Sequence, residues 1–301
     1  MLNNFNQLIN LAQKKKKLRL AVAAAEDPVV LSSIKQAVEL ELIDPILIGD
    51  SEKIEKQTEE IGYKPNKIVG TNSKLESAQT AMSLIAKGES DYPMKGLLSS
   101  KTILRALLDK EYGLRRNRLL SVVTLINLEQ QNRMIIMTDG GMNIAPDLEE
   151  KIQIIENAVE IARALGIEKA KVAALAAVED VNPKMPVTKE AATLAKMSDR
   201  DQIEGAIVDG PLALDNAISK EAAKHKGIDS PVAGEADILL VPNIEVGNVL
   251  YKSLVFYAGH DSASLVMGAK VPLVFTSRAD KTMTKFHSIL LGKMAALDIL
   301  D

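Results

Sequence analysis

The chain has 301 residues, enough for one large domain or two of medium size. Charged residues make up 26% and the formal net charge is only −3, so no strongly basic surface indicates nucleic-acid binding. Cysteine is absent, which excludes disulfides, a thiol nucleophile and cysteine-type metal sites. The three histidines lack ligand spacing, so we also expect no metal.

The N-terminal region resembles the start of a signal peptide, because lysines at 14–17 precede the apolar run LRLAVAAA. Arg19 interrupts that run, however, and Glu26 follows it directly, whereas a signal peptide needs about 7–15 apolar residues and a cleavage site. No segment approaches the roughly 18 apolar residues of a membrane span. We therefore expect a polar-faced helix followed by the first core strand, in a cytoplasmic protein without a membrane partner.

Short apolar runs alternate with longer helical patterns along the chain. Strands are predicted at 18–25, 44–49, 95–99, 119–126, 133–139, 171–178, 204–210, 236–243 and 271–277. Helices are predicted at 28–40, 73–87, 102–111, 148–166, 188–197, 246–259 and 285–300. The pattern restarts around the turn-rich segment 140–147, which suggests a domain boundary there.

Strands separated by helical crossovers predict parallel sheets with helices on both faces. We therefore expect an α/β fold of two doubly wound, mostly parallel α/β domains with an active-site cleft between them. The first domain is predicted to contain 1–137 plus 268–301, and the second 138–267. Open sheets of this kind bind ligands at the carboxyl ends of their strands.

Several common nucleotide-binding and hydrolase motifs are absent from the sequence. No GxxxxGK[ST] motif occurs, which disfavours a P-loop kinase, and no GxGxxG motif opens a helix after a strand. No GxSxG motif occurs either, which disfavours an α/β-hydrolase.

The strongest candidate site is VPLVFTSRAD (271–280), where an apolar strand ends in Thr276, Ser277, Arg278 and Asp280. The planar fork of arginine matches two phosphate oxygens, a hydroxyl can donate to an oxyanion, and a carboxylate can accept a proton. The alternative is a plain turn in which Asp280 caps the last helix and Arg278 is a surface residue.

Several blocks, in order along the chain, resemble the phosphate acetyl/butyryltransferase family. They are TDGGMNIAPDLEEKIQIIENAVEIARALGI (138–167), DGPLALDNAI (209–218), SPVAGEADILLVPNIEVGNVLYKSL (230–254) and VPLVFTSRAD (271–280). The resemblance implies direct transfer between an acyl-coenzyme A and phosphate in a ternary complex. It also implies no bound cofactor, coenzyme A thioester as a substrate, and a homo-oligomer. Ser277 matches the family's oxyanion or leaving-group contact, and Arg278 matches its phosphate ligand.

Two departures from the acetyltransferases resemble the butyryl branch of the family. The catalytic aspartate of acetyltransferases falls here at Thr284, which leaves Asp280 as the nearest candidate base. Phe256 stands where acetyltransferases carry a further arginine. We therefore expect transfer of a butyryl or similar short or branched acyl group. The alternatives are acetyl transfer, a metal-dependent decarboxylating dehydrogenase of related fold, or a non-catalytic domain.

Weaker candidates for binding coenzyme A or phosphate come from other predicted strand and helix ends. Gly247 and Asn248 would open a helix whose amides bind an anion, with Lys252 adding charge, or they would only cap that helix. Asp209 would lie at a strand end beside the cleft, or in a plain turn. Arg105 and Arg115 would reach coenzyme A phosphates, or remain solvated. We expect His260 and His287 to be structural.

Overall fold

The computed structural model describes residues 2–300 and has an α/β fold with a mostly parallel sheet, which confirms the predicted fold class. The helices are α1 Phe5–Gln13, α2 Pro28–Glu39, α3 Ser51–Glu60, α4 Lys74–Ala86, α5 Ser100–Leu107, α6 Leu148–Ala164, α7 Pro186–Ser198, α8 Leu214–Ile218, α9 Lys220–His225, α10 Ile244–Lys252 and α11 Thr282–Leu300. The strands are β1 Leu18–Ala23, β2 Ile43–Gly49, β3 Ile68–Gly70, β4 Tyr92–Lys95, β5 Ser121–Leu128, β6 Arg133–Thr138, β7 Ala170–Leu175, β8 Ala206–Leu212, β9 Ile238–Leu240, β10 Ser262–Met267 and β11 Leu273–Val274.

The chain forms two compact units. The split unit contains Phe5–Arg118 and the segment that begins at Ser262, and the central unit contains Leu119–Asp261 with the few residues before Phe5. The predicted first domain ended at residue 137, whereas the split unit ends at Arg118. The difference arises because β5 pairs antiparallel with β6, and β6 pairs with β9, so this hairpin belongs to the central unit.

In the split unit the strand order is β3-β2-β1-β4-β11-β10. All pairs are parallel except β10 with β11. The last helix, α11, is buried all round from Thr284 to Leu297 and packs against α1, α2 and β10. Because this helix is buried on every face, α11 forms the centre of this unit.

In the central unit the strand order is β5-β6-β9-β7-β8, and every pair after the β5–β6 hairpin is parallel. All eight residues of β5 are buried. The long helix α6 begins with a capping box, in which Asp147 and Glu150 each accept a backbone N–H from the other. Such a box satisfies two amides that the first helical turn leaves free.

Most predicted elements occur within a few residues of their expected bounds, but several differ. The strand predicted at 95–99 lies at Tyr92–Lys95, and the one predicted at 271–277 is only Leu273–Val274. The helices α3, α8 and α9 and the strands β3 and β10 were not predicted. β10 reads SASLVM, with small polar residues at alternate positions, and all of it is buried because it packs on α11 and pairs with β11.

Within residues 2–300, no helix combines the length and the apolar character that crossing a membrane requires.

Candidate active site

In the split unit the carboxyl ends of β1, β4 and β11 lie at one edge of the sheet, because these strands are parallel. Gly96 lets the ends of β4 and β1 approach closely, since a Cβ at this position would lie 2.2 Å from the carbonyl oxygen of Ala24. The edge therefore gathers Lys95 at the end of β4, the 276–280 segment after β11, and Asp27 after β1.

The segment Ser277–Asp280 forms a tight turn after β11. The Ser277 N–H donates to Asp280 Oδ2 at 2.6 Å, and the Asp280 N–H donates to Ser277 O at 3.3 Å. The Ala279 N–H donates to Ser277 Oγ at 3.3 Å. Within residues 2–300 Asp280 accepts no bond from the first turn of α11, so the alternative in which it caps that helix is wrong. The Asp280 carboxylate is instead bonded within the turn itself.

Arg278 lies at the exposed tip of this turn. No ion pair joins it to Asp280 or to another carboxylate in the part of the chain that the structure describes. Its guanidinium is therefore free to receive an anion.

Lys285, in the first turn of α11, secures the turn from beneath. Its Nζ donates to Ser277 O at 2.8 Å and to Thr276 Oγ1 at 3.4 Å, and the residue is buried. Burial lowers the pKa of Lys285, while the nearby carboxylates of Asp280 and Asp27 oppose that shift. Its positive charge is thus held in place by the backbone of the turn.

The half-buried position of Asp280 has the opposite effect on its carboxyl group. Desolvation raises the pKa of Asp280, and the Ser277 N–H bond together with the charges of Lys285 and Lys95 opposes the shift. A carboxylate with a raised pKa is a stronger base than an exposed one, which suits proton transfer.

Lys95 was not among the predicted site residues. It ends β4, is only 5% exposed, and its Nζ lies 5.8 Å from the centroid of the Phe275 ring. Burial, then the charges of Lys285 and Arg278, lower the pKa of Lys95 to about 8. The sequence could have indicated Lys95 as a site residue, because this lysine directly follows the apolar residues of a buried strand and precedes a glycine.

The central unit has a different loop at the carboxyl end of β6. The buried Asp139 accepts the backbone N–H groups of Gly141, Met142 and Asn143 at 2.8–3.1 Å and the Asn143 side-chain amide at 2.6 Å. Burial raises the pKa of Asp139, and these hydrogen bonds oppose the shift. These four bonds come from its own loop, so Asp139 organises the GGMN segment.

The helix α10 begins three residues earlier than the predicted opening at Gly247. Asn243 caps it, because its Oδ1 accepts the Val246 N–H at 3.0 Å. The Gly247 N–H donates to Asn243 O at 3.1 Å and is not free for an anion, so the prediction that Gly247 and Asn248 open the helix is wrong. A Cβ on Gly247 would lie 2.6 Å from the Cα of Gly140, which gives this glycine a packing role.

The other weaker candidates of the central unit lie in α10 and β8. The side-chain amide of Asn248 donates to Gly140 O at 3.4 Å. Lys252 is exposed in the last turn of α10, where a cation suits the helix dipole. Asp209 lies near the end of β8, which continues through Gly210 and Pro211 to Leu212, and its Oδ1 accepts the Gly210 N–H. Their binding roles stay predictions.

Arg105 lies exposed in the last turn of α5. Arg115 is also exposed and forms an isolated antiparallel bridge with Ala269. Both belong to the split unit, and their contact with coenzyme A stays a prediction.

An apolar groove of about 800 Å³ lies in the central unit, between the end of β7 and the helices α7 and α10. Its lining includes Leu175, Val187, Val249 and Leu250. Phe256 lies in a π-helical turn after α10, is 63% exposed, and does not line this groove. The suggested link between Phe256 and a longer acyl pocket gains no support from the groove.

One of the two α/β units gathers Arg278, Lys95 and Lys285 at the carboxyl ends of its strands, an arrangement that suits the binding of a small anion. The family model for phosphate acetyl/butaryl transferase matches residues 71–292, and the chain belongs to this family. The resemblance noted in the sequence is thereby confirmed.

The chain is similar to characterised relatives over nearly its whole length. It is 44% identical to a phosphate butyryltransferase of Clostridium acetobutylicum, over 98% of this chain and 99% of the relative. It is 46% identical to a phosphate acetyltransferase of Thermotoga maritima, over 96% and 99%. The crystal structure of a branched-chain phosphotransacylase from Enterococcus faecalis V583 matches with a TM-score of 0.82 and 35% identity, over 93% of this chain and 99% of that one.

Proposed function

We propose that this enzyme exchanges the coenzyme A of an acyl thioester for inorganic phosphate, giving an acyl phosphate and free coenzyme A. The preferred acyl group is butyryl or a similar short or branched chain. The observation that carries the proposal is the Ser277–Arg278–Asp280 turn, braced by Lys285, in a chain of this family. The butyryl and branched-chain relatives support the acyl group.

Arg278 binds the phosphate in this proposal. Its exposed guanidinium has no carboxylate partner within residues 2–300, and its planar fork can donate to two phosphate oxygens at once. Lysine supplies only a point charge, so the fork also fixes the direction of the phosphate. Fixed orientation is a large part of catalysis in a direct transfer between two bound substrates.

Ser277 stabilises the charge that develops on the acyl oxygen. Its Oγ already accepts the Ala279 N–H, and its hydroxyl proton remains available to donate. A donor held in place before the reaction stabilises an oxyanion without reorganisation at the moment of transfer.

Asp280 takes the proton from the coenzyme A thiol when acyl phosphate is the acyl donor. A free thiol titrates near about 8.5, so a base must supply thiolate at neutral pH. The sulfur–carbon bond forms, the carbon–oxygen bond to phosphate breaks, and the proton passes to Asp280 and then to the departing phosphate. The bond from the Ser277 N–H leaves Asp280 Oδ1 available for this step.

This transfer requires only the two small-molecule substrates, since positioned donors and cations supply the stabilisation. We further propose a cytoplasmic enzyme, in keeping with the cysteine-free sequence, and a homo-oligomer, as the family resemblance implies.

Acetyl transfer is the second candidate, because the Thermotoga maritima relative is a phosphate acetyltransferase with 46% identity. It uses the same site chemistry with a shorter acyl group. The decarboxylating dehydrogenase and the non-catalytic domain gain no support from the family match.

The test is release of free thiol from butyryl-CoA by the purified protein, with and without inorganic phosphate and with no added cofactor. Phosphate-dependent release, accompanied by butyryl phosphate in equal amount, supports the proposal. Release that is independent of phosphate indicates hydrolysis and contradicts it. Absence of release with acetyl-, butyryl- and isobutyryl-CoA alike would also contradict it.

A further inference from the structure

Lys293 and Lys95, two buried lysines of the split unit, differ in their hydrogen-bond partners. Lys293, in α11, is 0% exposed, and its Nζ donates to Ala12 O at 2.8 Å and to Lys15 O at 3.4 Å. Lys95 is 5% exposed and makes no hydrogen bond or ion pair within residues 2–300. Burial of an ammonium group is costly unless acceptors compensate it. The described residues provide acceptors for Lys293 but not for Lys95.

The charged groups that face Lys95 come from three elements. Arg278 and Asp280 lie in the turn after β11, Lys285 lies in α11, and Asp27 precedes α2. Both carboxylates have other partners and neither forms an ion pair with Lys95. Asp27 accepts the N–H groups at the start of α2, and Asp280 accepts the Ser277 N–H.

The contact of Lys95 with the Phe275 ring does not replace an acceptor. Its ammonium lies 5.8 Å from the centroid of Phe275, near the outer limit of a cation–π interaction. The polar acceptor that this ammonium lacks must therefore come from solution. Because Lys285 and Arg278 are also positive, an anion would relieve repulsion among all three cations.

We propose that Lys95 is a direct ligand of the phosphate group, in inorganic phosphate and in the acyl phosphate. This assignment rests on the proposed function. A tetrahedral dianion has acceptor oxygens left over when the fork of Arg278 occupies two of them. The position of Lys95 at the carboxyl end of β4, beside the turn that carries Arg278, suits contact with a further oxygen of the same phosphate group.

A linked proton uptake follows from this assignment. Burial and the neighbouring cations lower the pKa of Lys95 to about 8, so near pH 8 about half of the free protein carries a neutral amine there. A bound phosphate dianion favours the ammonium form and raises that pKa. Phosphate binding near pH 8 therefore takes up part of a proton at Lys95.

The experiment is titration of the whole protein with inorganic phosphate alone, by calorimetry at pH 8 in two buffers of different ionisation enthalpy. The difference in heat gives the number of protons taken up. Lys95→Met, Lys95→Arg and Lys293→Met are compared with the unaltered protein, and the proton exchange of phosphate itself is common to all four. Lys293→Met is the matched control, because burial also lowers the pKa of Lys293 to about 8.

We expect Lys95→Met to weaken phosphate binding about ten- to hundredfold, as loss of a charge-assisted hydrogen bond implies. Lys95→Arg should retain more of the affinity but lose the proton uptake, since arginine stays charged. Lys293→Met should resemble the unaltered protein in both respects.

Unchanged affinity and proton uptake in Lys95→Met would overturn the assignment, as would absence of phosphate binding by the unaltered protein. If Lys95→Met fails to fold, Lys95→Arg decides, because persistent proton uptake in that variant also overturns it. The thiol-release assay separates the two proposals. The protein could bind phosphate, lose the proton uptake in Lys95→Arg, and yet turn over no thioester. That result would contradict the proposed function and leave Lys95 as a phosphate ligand.

Discussion

The carboxyl ends of the parallel strands differ in chemistry between the two units. The edge of the split unit carries Arg278, Lys95 and Lys285 with a half-buried carboxylate. The edge of the central unit carries an apolar groove lined by residues such as Leu175 and Val249. The carboxyl ends of parallel strands are a common position for a binding site, and the side chains at that position determine what the site binds.

The two edges also use a strand-end carboxylate differently. Asp139 accepts bonds from three loop amides and from the Asn143 side chain, whereas Asp280 accepts the Ser277 backbone N–H and faces cations. A carboxylate that accepts several bonds from one loop stabilises the shape of that loop. Asp280, with one bonded oxygen and a raised pKa, retains the capacity for proton transfer.

The largest expected effect comes from Asp280→Asn. Asparagine can still accept the Ser277 N–H, so the turn should persist, but the base is lost and kcat should fall by roughly 10²–10⁴. In the acyl-phosphate-to-thioester direction, the residual rate should rise with pH as solvent supplies thiolate. Initial rates over pH 6–9, together with the urea midpoint, provide the measurement.

Asp139→Asn is the counterpart in the central unit. Its new amide donor would face loop N–H donors, so we expect unfolding to become easier by about 1–3 kcal/mol, with kcat per folded molecule largely kept. A fall in kcat for Asp139→Asn as deep as that for Asp280→Asn would remove the distinction between a loop-stabilising carboxylate and a base. An Asp280→Asn variant with normal kinetics in both directions would remove Asp280 from the site.

The second prediction concerns Arg278→Lys, which keeps the charge and removes the bidentate fork. We expect kcat/KM for phosphate to fall about ten- to hundredfold. Phosphate saturation curves at fixed butyryl-CoA provide the measurement. Arg200→Lys, at an exposed arginine of the central unit, is the matched control. Near-normal kinetics for Arg278→Lys would shift the role of phosphate clamp to another cation, with Arg105 and Arg115 next to test.

The third prediction is a preference for butyryl or branched four- and five-carbon thioesters over acetyl-CoA in kcat/KM. Each methylene in an apolar pocket contributes on the order of 1 kcal/mol, or about fivefold. A substrate panel from acetyl- to hexanoyl- and isobutyryl-CoA measures it. A clear preference for acetyl-CoA would contradict the butyryl assignment and leave the family unchanged.

The smallest expected effect is on the pH dependence of stability, and it arises in the core of the split unit. His287 stacks on Phe5 with ring centroids 3.7 Å apart, and burial lowers the pKa of His287 to about 4. The unfolded histidine binds a proton from about pH 6.5 downward, so stability is fully present above that pH and is lost as pH falls toward 4. Between pH 6.5 and pH 5 the free energy of unfolding should fall by about 2 kcal/mol through this group.

His287→Phe should retain the ring stack and remove this part of the pH dependence. Urea unfolding at pH 7 and pH 5 provides the measurement, with His225→Phe on the exposed helix α9 as the control. An unaltered loss of stability between these two pH values in His287→Phe would assign that loss to other groups. His287 was expected to be structural, and this test addresses that role directly.

Local signals in the sequence account for much of the fold. Asp27 followed by Pro28 begins α2 where the pattern predicts a helix, and Asp147 with Glu150 begins α6. The alternation of apolar runs with amphipathic segments is sufficient for the α/β class. The turn at 276–280 was likewise recognisable, because its polar residues directly follow an apolar strand.

What the sequence missed depends on partners distant along the chain. The cap at Asn243 sets the start of α10, and Gly247 fits against Gly140, about a hundred positions earlier; periodicity alone identifies neither contact. β10 reads as a weak strand, and its burial comes from packing on α11 and pairing with β11. Tertiary context overrides local propensity at such places.

The sequence by itself determined the fold class, the family and the Ser277–Arg278–Asp280 turn, since periodicity, capping and motif order are all local properties. Only the tertiary structure decided that Lys95 lies buried without a polar partner near Arg278 and Lys285. The physical reason is that burial and charge coupling depend on which strands share an edge. β4 and β11, far apart in the chain, meet there through parallel pairing.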